Sequence, residues 1–560
     1  MKILHNKYRA IITSLILVIT SLIFILSFLS LSSCRSTDID QDKVLKGSEI
    51  SGGLAAVNIN LLGAEYANSN KPAQVASINQ KGLNVDNDVQ HYSVLVSPSS
   101  FITAELTPNR SLSSVASSKN LNTIAAVAGD QLGAGNKFRV IAYRQSDGTY
   151  QTYQDYTVGQ PVAPLMLDGG VNYDIVAYSY GVTTLPVISS GEQSNINSAT
   201  INYDNLNRDL MYQKISYTPN GSIPNNTLNI MLRHKLTQIT TIINSVNLGN
   251  ITNASGILTP HYHNGIFSLN TGLMSGRTDI SSGEQLSYSS SQFPGTTVTA
   301  MPSLINANTE GNATGSFSSN NITIAGTTKT ISLPNSFKIT PENKSNLTVN
   351  IVKCGAYIGP NNDPANYKEF MCQNLGATSG INPFSPEAGN HGAKYQWGYK
   401  PINANLSDDR YYTQSDDQSN PGVISGWNTT EKSDDSWSDT SKTANDPCPS
   451  GYRVTTAAQW EAVIDNNPNI ERVGSWLWDN GNYTSALYFR TPSNVRTLML
   501  PAAGYRHNGD GSIYERGRTG AYWSSNNSGN FSVRMSFTKS SLDTDDNTRL
   551  DGFSVRCVAE

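Results

Sequence analysis

Three pairs of adjacent aspartates, Asp408-Asp409, Asp416-Asp417 and Asp434-Asp435, are the residues whose types first suggest acid–base chemistry. Two carboxylates serve glycoside hydrolysis only when the fold holds them at a fixed separation across the substrate. These pairs lie in a Ser-, Asn- and Gly-rich stretch, so solvated loop polarity is their expected role. His261 and His263 share one strand face and offer two metal ligands, but no third stands at useful spacing, and no metal is expected. No G-x-S-x-G elbow, H-E-x-x-H helix, phosphate loop or Cys-His nucleophile pair occurs in a fitting context. The expectation is therefore no catalytic residue, no cofactor, and binding rather than turnover.

The start of the chain predicts where it resides. Lys2, Lys7 and Arg9 precede an apolar run over 11–31, which ends at Leu31-Ser32-Ser33-Cys34. A positive flank, an apolar segment and small residues before a cleavage point make a secretory signal. The run is also long enough to cross about 30 Å of hydrocarbon, so an uncleaved anchor is the alternative. Its last four residues resemble the lipobox of bacterial lipoproteins. That resemblance implies that Cys34 is lipidated, becomes the new N-terminus and is acylated again, giving an exported protein anchored at the outer membrane or cell surface. Two or more acyl chains hold a protein durably on a bilayer.

Composition agrees with export. Charged residues are 15% and hydrophobic residues 38% of the 560, with Gly and Tyr abundant, which suits strands and polar turns. A net charge of -4 is too small to imply nucleic acid as a partner. The four remaining cysteines, Cys354, Cys372, Cys448 and Cys557, allow three pairings. Zinc is disfavoured for them because no C-x-x-C pair occurs and the compartment is oxidising. All seven tryptophans, from Trp397 to Trp523, lie in the same part of the chain, which marks it as chemically distinct.

The elements that position these residues read as mainly β: two tandem β-sandwich domains, then an α+β domain. The divisions are 1–33 signal peptide, 34–50 polar tether, 51–190 first sandwich, 195–345 second sandwich and 346–560 C-terminal domain. Val57, Ile59 and Leu61 alternate with Asn58 and Asn60, the two-residue period of a half-buried strand. Phe138, Val140 and Ala142 repeat it, followed by a turn at Ser146-Asp147-Gly148 and a returning strand. Strands at 165–167 and 173–180 flank Asp168-Gly169-Gly170, so hairpins rather than βαβ units are expected. Leu228, Ile230 and Leu232 open the second block. In the last domain Thr456 and Gln459 have capping-box spacing and predict a helix through Ile464 that ends before Pro468. Strands are predicted at 498–500, 522–524, 531–537 and 553–558, with Phe531, Val533, Met535 and Phe537 on one face of the third.

Three segments of the sandwich region resemble the fimbrillin-like proteins of Bacteroidetes: Lys137-Phe138-Arg139-Val140-Ile141-Ala142-Tyr143, Gly170-Val171-Asn172-Tyr173-Asp174-Ile175-Val176-Ala177-Tyr178-Ser179-Tyr180, and Leu232-Arg233-His234-Lys235-Leu236-Thr237. The resemblance implies that an arginine-specific protease removes an N-terminal strand and that a neighbouring fimbrillin subunit's strand fills the groove. An open sheet edge is costly alone and stable once complemented. Arg110 is the one arginine between Arg35 and Arg139, hence the candidate cleavage position.

The C-terminal domain is similar to the Fibrobacter succinogenes major paralogous domain, itself similar to C-type-lectin-like and formylglycine-generating-enzyme folds. The motifs are Phe370-Met371-Cys372-Gln373-Asn374-Leu375-Gly376-Ala377, Tyr395-Gln396-Trp397-Gly398, Asp446-Pro447-Cys448-Pro449-Ser450-Gly451-Tyr452-Arg453-Val454, Leu500-Pro501-Ala502-Ala503-Gly504-Tyr505-Arg506, Tyr522-Trp523-Ser524-Ser525 and Gly552-Phe553-Ser554-Val555-Arg556-Cys557-Val558. Thr455 stands where that family usually has proline. The resemblance implies pairing of Cys354 with Cys372 and of Cys448 with Cys557. It also implies a ligand surface on the loop 505–521, with Tyr505, His507, Asn508, Asp510, Tyr514, Glu515, Arg516 and Arg518, facing a glycan or a host or bacterial surface protein. The calcium-lectin signature is absent, since Trp478-Asp479-Asn480 has the wrong order and place. Together these readings describe a lipid-anchored fimbrial subunit or adhesin, with a tip position because the bulky last domain occupies the place of a donor strand. The alternatives are a non-polymerising glycan-binding lipoprotein and an enzyme of the formylglycine-generating type.

Overall fold

Apolar alternation, interrupted by Gly- and Asn-rich turns, draws most of this chain into strands. The computed structural model describes residues 53–68, 89–109, 129–204, 209–223, 225–246, 248–307, 313–361, 363–492 and 494–560. Cys34, the signal, the tether and Arg110 lie outside the described residues. The structure is mainly β, with two α-helices among the described residues, Gln414–Ser419 and Ala457–Asn466.

The N-terminal strands are β1 (Leu54–Glu65), β2 (Gln90–Ser97), β3 (Ser100–Pro108), β4 (Lys137–Arg144), β5 (Tyr150–Thr157), β6 (Leu165–Asp168), β7 (Tyr173–Ser179), β8 (Thr200–Asp204), β9 (Met211–Tyr217), β10 (Asn226–His234) and β11 (Thr237–Val246). A seven-stranded sheet runs β5-β4-β7-β9-β10-β1-β6. β4 and β5 form the expected hairpin. β6 and β7 do not: β6 pairs with β1 at the far edge, whereas β7 lies between β4 and β9. The reason is burial, because β7 hides apolar residues on both faces and must sit centrally.

β4 is likewise more than half-buried. Phe138, Val140 and Ala142 pack with Val57 and Ile175 on one face, while Ile141 and Tyr143 pack with Val176, Tyr178 and Phe267 on the other. Arg139 is drawn into that second face and compensated there, with Nε and Nη2 donating to Asp155 at 2.6 and 2.8 Å and Nη1 to Tyr178 at 3.0 Å.

A second sheet places β11 beside Lys344–Lys353 in parallel, then β3 and β2. It packs on a sheet built around Thr314–Ile324 and Thr327–Lys338, with Ile102, Ile239, Phe317, Leu333 and Val349 in the core between them. Strands thus cross the 190–195 boundary both ways: β9 and β10 complete the first sheet, and β2 and β3 the second. β1 pairs with β10 in parallel, an arrangement that no tight turn can close and that demands a long connection.

The last domain, here the head, packs two clusters centred on Trp460 and Trp523. Thr456 and Gln459 make the predicted capping box, and Asn467 ends the helix by donating to the carbonyls of Val463 (2.7 Å) and Tyr357 (2.8 Å). Thr455 in place of proline gains a contact, its hydroxyl donating to the Arg556 carbonyl at 2.7 Å. In Phe531–Phe537, Met535 and Phe537 are buried, but Phe531 is exposed beyond the reach of the core.

The β2–β3 turn joins sandwich to head. Pro98 and Ser99 accept backbone hydrogen bonds from Cys372 (2.7 Å) and Cys354 (2.8 Å), and Tyr452 donates to the Ser99 hydroxyl at 2.9 Å. Cys354 is bonded to Cys372 and Cys448 to Cys557, the pairing that the resemblance implies.

Candidate ligand-binding face

The loop 505–521 opens with a small hairpin. Tyr505–Arg506 pairs with Ile513–Tyr514, and the sheet continues through Gly552–Phe553, Lys394–Gln396 and Tyr411–Tyr412. Asp510 closes the turn by accepting from the Ser512 N–H (3.0 Å) and hydroxyl (2.6 Å). Gly511 is required twice over: its φ is +69°, and a Cβ there would stand 2.6 Å from the Trp427 ring. Trp427 also donates through Nε1 to the Asn508 carbonyl at 3.1 Å, so the turn is clamped from behind.

The outer side of this hairpin carries aromatic rings in series. Tyr514 stacks on His507 at 4.9 Å between centroids and on Trp478 at 5.6 Å, with interplanar angles of 30° and 29°. Tyr505 adjoins Tyr514 at 6.1 Å. Trp478 is 52% exposed and its neighbour Leu477 67%. One residue earlier, Trp476 takes φ +54°, a strained conformation for a bulky side chain, and buries its ring against Phe537. Asn508 and Asp510 lie at the His507 end, and exposed Arg518 contacts Glu515 at 3.7 Å near Tyr514. Stacked faces flanked by amide, carboxylate and guanidinium groups match the amphipathic surface of a sugar.

Arg516 is not part of that surface. It is fully buried and works as a brace: Nη1 donates to the Asn480 carbonyl (2.8 Å) and the Tyr483 hydroxyl (3.0 Å), and Nη2 to Asp417 (3.0 Å) and its carbonyl (2.6 Å). Because Asp479 donates back to the Arg516 carbonyl at 3.1 Å, the Trp478 loop and the hairpin move as one. Of the predicted residues, the structure brings Tyr505, His507, Asn508, Asp510 and Tyr514 together, with Glu515 and Arg518 at the rim. Trp478 lies outside the loop that the resemblance implies, although an aromatic between Leu477 and the turn residues Asp479-Asn480-Gly481 is a legible signal for an exposed ring.

Beneath the stack, Asp551 is buried and its Oδ1 has no hydrogen-bond partner. Burial pushes its carboxyl up to about 6, against a hydrogen bond from the Asn508 backbone and the nearby charges of His507 and Arg534.

The aspartate pairs are solvated polarity only in part: Asp409, Asp434 and Asp435 are exposed, whereas Asp408 and Asp416 are half-buried and Asp417 is buried. Asp408 accepts from Tyr399 (2.6 Å), Asp409 from Asn428 (2.6 Å) and Asp434 from Arg549 (2.7 Å). Asp416 and Thr413 cap the helix Gln414–Ser419. Asp417 is buried among Lys394, Arg506 and Arg516. The two histidine rings meet edge to face at 6.1 Å but differ in burial: His261 is buried, accepting from the Asn306 N–H at 3.2 Å, whereas His263 is exposed beside Asp279. Burial, with a smaller effect of neighbouring His263, pulls the His261 pKa down to about 4.

A larger cavity, about 910 Å³, lies instead where β2 and β3 face Phe384, Glu387, Tyr488 and Arg496 of the head. Its most distinctive groups are already engaged, with Arg496 over the Tyr488 ring at 4.0 Å and paired with Glu471 at 2.7 Å, so the aromatic stack is the better candidate.

Residues 475–558 match a family model described as a domain of unknown function, DUF8237, and this stretch holds both Trp478 and the hairpin. No curated protein matches the chain. Among solved structures, the tip fimbrial protein Mfa3 of Porphyromonas gingivalis, with C-terminal truncation, is similar at 10% identity and a TM-score of 0.26, over 39% of this chain and 92% of that one. A fimbrial assembly protein of Parabacteroides distasonis is similar at 8% identity and a TM-score of 0.26, over 38% of this chain and 82% of that one. At such scores neither likeness bears on what this chain does.

Proposed function

We propose that this chain is a cell-surface adhesin whose head binds glycan through the Trp478–Tyr514–His507 stack. The observation that carries the reading is exposed Trp478 stacked in series with half-buried Tyr514 and His507 of the braced hairpin. An exposed indole continued by partly open rings, beside exposed Leu477, makes an apolar patch that another surface can cover. The experiment is a glycan and surface-protein array probed with the full mature chain and with Tyr514→Ala. Specific binding that the variant loses supports the reading; binding to nothing, or binding indifferent to the variant, removes it.

The anchoring at Cys34 and the place in a fimbrium belong to the same proposal. β1 lies between β10 and β6, and β3 between β2 and Lys344–Lys353. Cleavage at Arg110 with loss of the preceding chain would therefore open a slot in each sandwich, which a strand from another fimbrillin subunit could fill. A tip position follows from the head standing where a donor strand would extend. Arg110→Lys should leave the precursor uncut and unassembled, and even labelling of the protein along filaments would refute the tip position.

A further inference from the structure

Behind the aromatic face, Lys394, Arg506 and Arg516 are fully buried, and Asp417 is the carboxylate within ion-pair reach of all three, at 3.4, 3.2 and 3.0 Å. The other partners of the two arginines are neutral: the carbonyls of Gly511, Asn420 and Asn480 and the Tyr483 hydroxyl, with the Tyr412 ring 4.3 Å from Arg506. Neutral acceptors satisfy geometry but leave two guanidiniums and an ammonium, the latter lowered to about 8 by burial, against one carboxylate. Lys394 is the least compensated, since Asp417 at 3.4 Å is the acceptor its ammonium meets. His391 lies beside Lys394 and Arg516, fully buried, and neither ring nitrogen has a hydrogen-bond partner. Burial and those two cations hold the imidazole neutral, so one ring N–H remains to be donated. Burying charge without a counter-charge is among the costliest arrangements in a protein interior.

We propose that Lys394 and His391, backed by Arg506 and Arg516, bind a small monovalent anion of chloride's size as the second counter-charge of this cluster. Lys394 supplies the direct charge, His391 a ring N–H, and the arginines the field. Because Arg506 and Arg516 hold the ends of the hairpin that carries His507 and Tyr514, the anion braces the exposed face without touching its ligand. The site is independent of what that face binds.

All seven tryptophans lie in the head, so their fluorescence follows its unfolding within the full mature chain. Melting is compared in sodium gluconate, chloride and bromide at equal ionic strength. The expected result is a saturable rise of about 5 °C or more in the halides at a hundredfold excess over the dissociation constant. Lys394→Met should abolish it. Crystals of the unsubstituted protein grown in bromide should show an anomalous peak in contact with Lys394 Nζ, which decides the matter even where the variant does not fold. Equal melting in the three salts, a halide effect that survives in Lys394→Met, or bromide found elsewhere alone overturns the proposal.

Discussion

Replacing Trp478 by alanine separates binding from folding. The ring is 52% exposed, and its described ring partner is Tyr514. A tryptophan side chain offers about 250 Å², so roughly 130 Å² faces solvent and a ligand lying on one face covers about half of that. At about 25 cal/mol per Å², losing this burial weakens binding by about 1.5 kcal/mol, or roughly tenfold in dissociation constant. Folding loses one exposed stack, about 0.5–1 kcal/mol. Titration calorimetry on the strongest array ligand measures the first quantity and urea unfolding the second. An unchanged affinity in a normally folded variant would show that the rings are ordinary surface, and the reasoning from exposed stacking would fail.

The two disulfides should differ in worth, because Cys448–Cys557 closes 109 residues and Cys354–Cys372 closes 18. Chain entropy gives about 5 and 3 kcal/mol, so Ala pairs at the first should lower the head's unfolding midpoint further than Ala pairs at the second. Asp551 has its carboxyl raised to about 6 from 3.8, so its contribution is fully present below pH 4 and lost as pH rises to 6, about 3 kcal/mol in all. Melting of Asp551→Asn across that window should lack this decline, and an identical decline would refute it. Thr456→Ala removes the hydroxyl that accepts from the Gln459 N–H, leaves the Thr456 N–H bond to the Gln459 side chain, and should cost about 1 kcal/mol in denaturant unfolding.

What could be read from the sequence was what neighbours along the chain decide. The capping box depends on Thr456 and Gln459 alone, and the β4–β5 hairpin on its own turn. The parallel partners of β1 and β11 lie far along the chain and leave no local mark. Alternation misled at β4, where Ile141 and Tyr143 turned out to face a second layer rather than water. Among the acidic pairs, Asp416-Asp417 departs furthest from solvated polarity. Asp417 follows Asp416 in a polar stretch, yet its environment is written by Lys394, Arg506 and Arg516, whose convergence only the folded chain reveals.

That convergence explains how a surface of loops can serve recognition. A binding face made of mobile aromatics would lose much of its affinity to ordering on contact. Here Arg516 joins the Trp478 loop to the hairpin, Trp427 packs on Gly511 behind the turn, and Arg506 holds Gly511 and Asn420 from within. The rings are therefore set in place before a ligand arrives, and the charges that set them are hidden from it. Such a division places the costly electrostatics where they cannot compete with a ligand and leaves the exposed groups free to be covered, as the proposed adhesin role requires.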